Sequence, residues 1–143
     1  MEARLIPLPK PGEEVGFDML VWKETDRREM GTHHHGLALF PNGFGVSVVY
    51  GTPGDRWSHG MYGNGPRDDS YELMLTHASD EHSWEIAYIP GLFEDTEGWL
   101  SREKVNLRMQ FIAGLDPKTV WYNHKGWREI QEARWAAEAA DES

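Results

Sequence analysis

The chain has 143 residues, 39% of them hydrophobic, with seven Trp, five Tyr and five Phe. That supplies one packed core and excludes a disordered chain, despite a mean hydropathy of −0.64. There is no cysteine and the formal charge is −10, which excludes disulfides, thiolate metal ligands and thiol nucleophiles and argues against a general nucleic-acid coat.

In chain order, residues 1–16 carry three prolines and two glycines and read as an irregular arm. Phe17 to Glu24 alternates in a two-residue period and predicts a strand that is apolar on both faces. Thr25 to Gly36 is polar, ends in glycine and reads as a connection carrying His33, His34 and His35. Leu37 to Phe40 and Phe44 to Tyr50 flank Pro41-Asn42-Gly43, and Asn-Gly between apolar runs predicts a hairpin. In its second strand Phe44, Val46, Val48 and Tyr50 share one face. Gly45 and Ser47 on the other leave room for something to lie against it.

Gly51 to Asp69 is too long for a hairpin turn, and it sets Trp57, His59, Met61 and Tyr62 among glycines. Tyr71 to His77 and Trp84 to Ile89 predict a second hairpin, ended by Pro90-Gly91. Helical signals begin at Trp99. Ser101 is a candidate N-cap, Leu100 and Val105 are placed for a hydrophobic staple, and Val105, Met109 and Ile112 form one stripe with Phe111 and Leu115 beside it. Gly114 and Asp116-Pro117 close that helix, and Trp127 to Ala140 has helix formers with no breaker. The expected fold class is α+β. An antiparallel sheet of about five strands, two hairpins plus an N-terminal strand, carries one helix on its face, and a C-terminal helix follows. The expected organisation is an arm at 1–16, a single domain at 17–126 and the C-terminal helix at 127–143.

Charge is segregated along the chain. Between Asp55 and Glu97 there are ten acids against two bases, and between Arg102 and Arg128 six bases against two acids. An acidic middle suits a basic partner, although charged surface is also what keeps any protein soluble. The candidate binding residues are therefore Trp57, His59, Tyr62, Arg67, Asp68 and Asp69. Trp57 and Tyr62 could equally fold back over the sheet edge. The three histidines, with His59 or nearby carboxylates, are the one set that could hold a metal for hydrolysis, although adjacent histidines on an extended chain point to opposite sides. No GxSxG, HExxH, GxGxxG or P-loop pattern occurs, so no catalytic residue, metal or cofactor is assigned. Lys118, Trp121, Tyr122, Lys125, Trp127 and Arg128 mix basic and aromatic groups as single-strand binders do, but Trp121 and Trp127 also suit the core. The first residues lack the apolar run of a signal peptide and no stretch reaches the roughly 18 apolar residues of a membrane span, so a cytoplasmic protein is expected.

The segments NGFGVSVV, YELMLT and GWLSREKV, covering about Asn42 to Leu115, resemble a pattern found in small uncharacterised proteins of actinobacterial phages and prophages. The resemblance implies an accessory phage product, active in the host cytoplasm by binding a host protein and possible as an inhibitor of a host or defence system. A homodimer through the C-terminal helix is a further expectation.

Overall fold

The computed structural model describes residues 15–26, 31–53, 63–80 and 83–141. The hairpin at its centre is built as the sequence dictates. Phe40 N–H donates to Phe44 O at 2.8 Å and Gly43 N–H to Phe40 O at 2.9 Å. The three residues between them reverse the chain because Gly43 takes φ 92°, which a side chain resists. On either side run β2 (Gly31–Leu39) and β3 (Phe44–Pro53).

The other strands are β1 (Val21–Asp26), β4 (Tyr71–Asp80), β5 (Ser83–Ile86) and β6 (Glu97–Leu100). The order is β1-β2-β3-β4-β5, every pair antiparallel, and β6 joins the edge of β4 that β5 leaves open. Helices α1 (Arg102–Ala113) and α2 (His124–Asp141) follow. The fold is thus α+β, with an antiparallel sheet and a C-terminal helix. No helix among the described residues is long and apolar enough to cross a membrane.

One face of the sheet carries Ala38, Phe44, Val46, Val48, Leu73 and Leu75 against Val105, Met109 and Ile112 of α1, all buried. The staple and cap expected at the start of α1 are present. Leu100 and Val105 are buried, and Ser101 Oγ accepts from Lys104 N–H at 3.2 Å. On the other face the room above Gly45 and Ser47 is filled from within the sheet. Leu37, Leu39 and Ala78 pack there with Trp84. Trp84 reaches His35 across two intervening strands, with ring centres 5.6 Å apart, while His35 Nε2 lies 2.7 Å from Ser47 Oγ.

Several boundaries differ from expectation, and each difference has a tertiary cause. Phe17–Met19 is one turn of 3-10 helix, so the first strand starts only at Val21. Asn106 Oδ1 on α1 accepts from Phe17 N–H at 2.6 Å, and the Phe17 ring meets Trp22 and Tyr71. The histidine triplet is not in a connection. It lies inside β2, where Lys23, Glu24 and Thr25 on one side and Gly51, Tyr50 and Val49 on the other supply a ladder that polarity alone does not reveal. Glu97–Leu100 is a strand because Tyr71 and Leu73 offer an open edge. Finally, α2 begins three residues before Trp127, after Asn123, whose Oδ1 accepts from Gly126 N–H at 2.8 Å.

Candidate functional site

Helix α1 is apolar on two sides. Its buried stripe seats it on the sheet, while Leu107 and Phe111, one turn apart, face away from it and are 55% and 48% exposed. Leu92, 56% exposed, stands beside them on the turn that follows β5. That turn is closed by Phe93 N–H donating to Ile89 O at 2.9 Å and by the Glu94 carboxylate accepting from Gly91 N–H at 2.6 Å. Leu92, Phe93, Leu107 and Phe111, with Glu97 and Arg108, line a groove of about 480 Å³. Phe93 and Phe111 meet at 6.0 Å between ring centres.

The polar content of the groove is one ion pair. Arg108 donates from Nε and Nη2 to the two Glu97 carboxylate oxygens at 2.7 and 2.8 Å. The hydrogen bonds from Arg108 hold Glu97 below the usual carboxylate range, and the same contact raises Arg108. Both groups remain charged at neutral pH, so neither offers a proton to a substrate. Such an arrangement can bind and orient an apolar segment. Large apolar groups gathered at half exposure around one ion pair have the anatomy of an interface, with an apolar centre and a polar margin.

Of the residues singled out in the sequence, Trp57, His59 and Tyr62 lie outside the described residues. Arg67, Asp68 and Asp69 form an exposed turn, bridged at its base by Gly65 and Ser70. Its carboxylates have structural duties. Asp68 accepts from Ser70 Oγ and, at 2.8 Å, from Asn64 Nδ2, and those bonds lower its pKa. Asp69, at φ 54°, accepts from Arg102 N–H at 2.9 Å and so helps cap α1. Two other acids of the middle are similarly engaged: Asp95 accepts from Thr96 N–H at 2.7 Å, and Glu94 lies 3.6 Å from Arg134.

The triplet is divided by the strand. His34 stacks on Tyr50 with ring centres 4.2 Å apart and lies 3.3 Å from Glu24, while His33 and His35 belong to the opposite face. Among the described residues no group of three His, Asp or Glu could hold a metal ion. The mixed basic and aromatic set is also redistributed. Trp127 is 3% exposed and stacks on Tyr88, and Trp121 stacks on His77 at 4.3 Å. Its aromatic members serve packing, the alternative that their apolar neighbours suggested.

Two of the histidines have a consequence for pH. Burial, reinforced for His35 by Lys23, holds His35 below its ordinary 6.5, and burial does the same to His77, opposed by Glu85. The unfolded chain therefore takes up protons that the fold excludes. This contribution to stability is complete above pH 6.5 and is lost as the pH falls below it towards the depressed folded values. Urea midpoints should fall between about pH 7.5 and pH 5.5. His77→Phe, which keeps a ring on Trp121 and removes a buried Nδ1 that has no hydrogen-bond partner, should flatten that decline.

The groove residues were missed because an outward-facing Leu and Phe on a helix read as ordinary excess apolarity. The available signal was that Val105, Leu107, Met109, Phe111 and Ile112 are too many for one stripe. Searches against family models, curated proteins and solved structures find no match for this chain.

Proposed function

We propose that this chain is a non-catalytic accessory protein, of the phage type that its resemblance implies, which acts in the host cytoplasm by binding a host protein through the groove on α1. The observation that carries this reading is the cluster of Leu92, Leu107 and Phe111, each about half exposed, around the Glu97–Arg108 pair. Burying such groups is the main source of affinity in protein contacts, and a fixed ion pair at the margin sets register. The exposed turn at 66–69, at the N-terminal end of α1, adds a net negative charge that suits a basic partner.

The reading is tested by affinity capture from an actinobacterial host lysate, quantified for wild type, Leu107→Asp with Phe111→Asp, and Arg67→Ala. The groove side chains are exposed, so an unchanged thermal transition confirms that the double variant folds. A host protein held by wild type should be lost by at least about tenfold in the groove variant and be held as well or slightly better by Arg67→Ala, which leaves the turn at 66–69 more acidic. Retention profiles indistinguishable between wild type and groove variant would remove the reading.

A further inference from the structure

The segment 114–123, which links α1 to α2, is held to the rest of the domain at two neighbouring places. Trp121, half-buried, lies flat on the His77 ring of β4, with centres 4.3 Å apart and 18° between the planes. One residue on, Tyr122 and Tyr88 exchange backbone hydrogen bonds at 2.8 and 2.9 Å. The seat of α2 depends on the same place. Its buried residue is Trp127, which stacks on Tyr88 with ring centres 5.8 Å apart.

His77 sits where a charge is hard to accommodate. Its ring meets Phe44 edge to face at 5.0 Å, and its Nδ1 is buried without a hydrogen-bond partner. A neutral imidazole tolerates this, since a ring nitrogen without a proton needs no acceptor. Protonation makes that nitrogen a charged donor in the same closed spot, and a buried donor with no acceptor is costly. The surroundings give little relief. From β3 the ring meets Phe44 and Gly43, which carry no charge, and the charged residues of the linker, Asp116 and Lys118, are exposed. From β5, Glu85 stands across the ladder from His77 and attracts a cation. The indole face of Trp121 attracts one too, but it lies above the ring and offers nothing to an N–H in the ring plane. Burial outweighs Glu85, so the folded ring titrates below its ordinary 6.5.

We propose that His77 is an acid-sensitive latch: at neutral pH it holds the 114–123 segment and the start of α2 on the sheet, and its protonation in mild acid opens that segment while the sheet stays folded. The charged ring leaves its place under Trp121 to reach water, and the Tyr88–Tyr122 bridge beside it is the first backbone pairing to open. Strands β2, β3 and β4 keep their ladders, because the buried cluster under α1 holds them. The opened ring regains the ordinary 6.5 while the closed ring stays below it, so opening takes up a proton and grows as the pH falls below 6.5.

Native-state amide exchange on the full chain at about pH 6.5 and about pH 5.5, in urea concentrations below the unfolding transition, tests this. The Tyr88 and Tyr122 amides should exchange through an opening that depends little on urea. Corrected for intrinsic exchange, that opening should grow several-fold from the higher pH to the lower. The amides of Val46 and Val48, buried in β3, should exchange only through a strongly urea-dependent opening. His77→Phe, which keeps a ring under Trp121, should abolish the growth at Tyr88 and Tyr122. Glu85→Gln, at an exposed position, should enlarge it, because the closed ring then lacks the carboxylate that eases its protonation. Tyr122 sharing the urea dependence of Val46 at both pH values overturns the proposal, since the linker would then open only with the whole fold. A pH response that survives His77→Phe also overturns it and would pass the role to His124, whose Nδ1 lies 3.4 Å from Tyr88 Oη. So does a smaller response in Glu85→Gln, which stays readable even where His77→Phe weakens the fold.

Discussion

Gly45→Ala is expected to lower the stability of the fold by roughly 3–5 kcal/mol. A Cβ at this position would sit 2.2 Å from Ala38 O, 2.8 Å from a Leu39 methyl carbon and 2.9 Å from Thr76 Oγ1. The nearest of these is backbone in the paired strand β2, and no rotamer change moves it. Relief would require opening the β2–β3 ladder at Leu39↔Gly45, next to the turn that sets its register. The comparison variant is Gly114→Ala. That glycine lies at φ −91° with no neighbour closer than 3.6 Å to its would-be Cβ. It should be neutral or stabilise by about 0.5 kcal/mol, through the entropy of the unfolded chain. Urea denaturation of the two variants side by side checks the contrast. A Gly45→Ala protein within about 1 kcal/mol of wild type would mean that the inter-strand packing is looser than described.

Asn42→Ala is expected to remove about 2–3 kcal/mol, more than a surface turn residue ordinarily carries. Asn42 sits in the hairpin loop, and its Oδ1 accepts from Phe44 N–H at 3.0 Å, a local role that any Asx turn shows. Its Nδ2 reaches much further along the chain. It lies 2.9 Å from Ile112 O, 3.0 Å from Leu115 O and 3.3 Å from Ala113 O, so one side chain donates to carbonyls in the last turn of α1 and just beyond it. Alanine leaves those carbonyls and the Phe44 amide without that partner. Asn42→Asp separates the roles, because a carboxylate can still accept from Phe44 but meets the negative end of the helix. At neutral pH the aspartate variant should therefore be at least as unstable as alanine. If aspartate instead matched wild type in denaturant midpoint, the capping role would be wrong.

These two residues show where sequence reasoning stops. Asn42-Gly43 announced a turn, and the turn is there, with Gly43 in the left-handed conformation. The same asparagine holds a helix that begins 60 residues later, and nothing within its neighbourhood in sequence specifies that. Gly45 was legible as a gap in one face of a strand, but the group that fills the gap was not. Leu39 lies across the hairpin and Trp84 on β5, brought there by the order of strands in the sheet. The candidate site follows the same pattern. Leu107 and Phe111 could be placed on a helix from their spacing, whereas their exposure depends on which side of α1 the sheet occupies. Asp68 and Asp69 looked like a free acidic tip because residue type reports charge, and hydrogen-bond partners such as Arg102 N–H are long-range facts.

What the sequence determined by itself is therefore local. It specified the reversal at Pro41-Asn42-Gly43, the alternation of β3 and β4, the Ser101 cap with its staple, and the buried stripe of α1. Each depends on backbone sterics and periodicity within a few residues. The tertiary structure alone decided that the histidines pair in a ladder, that Glu97–Leu100 extends along β4, and that an apolar groove opens beside Arg108. Those outcomes depend on which free edges and faces meet, and hydrogen-bond donors and apolar area far apart in the chain settle that only when the whole sheet is assembled.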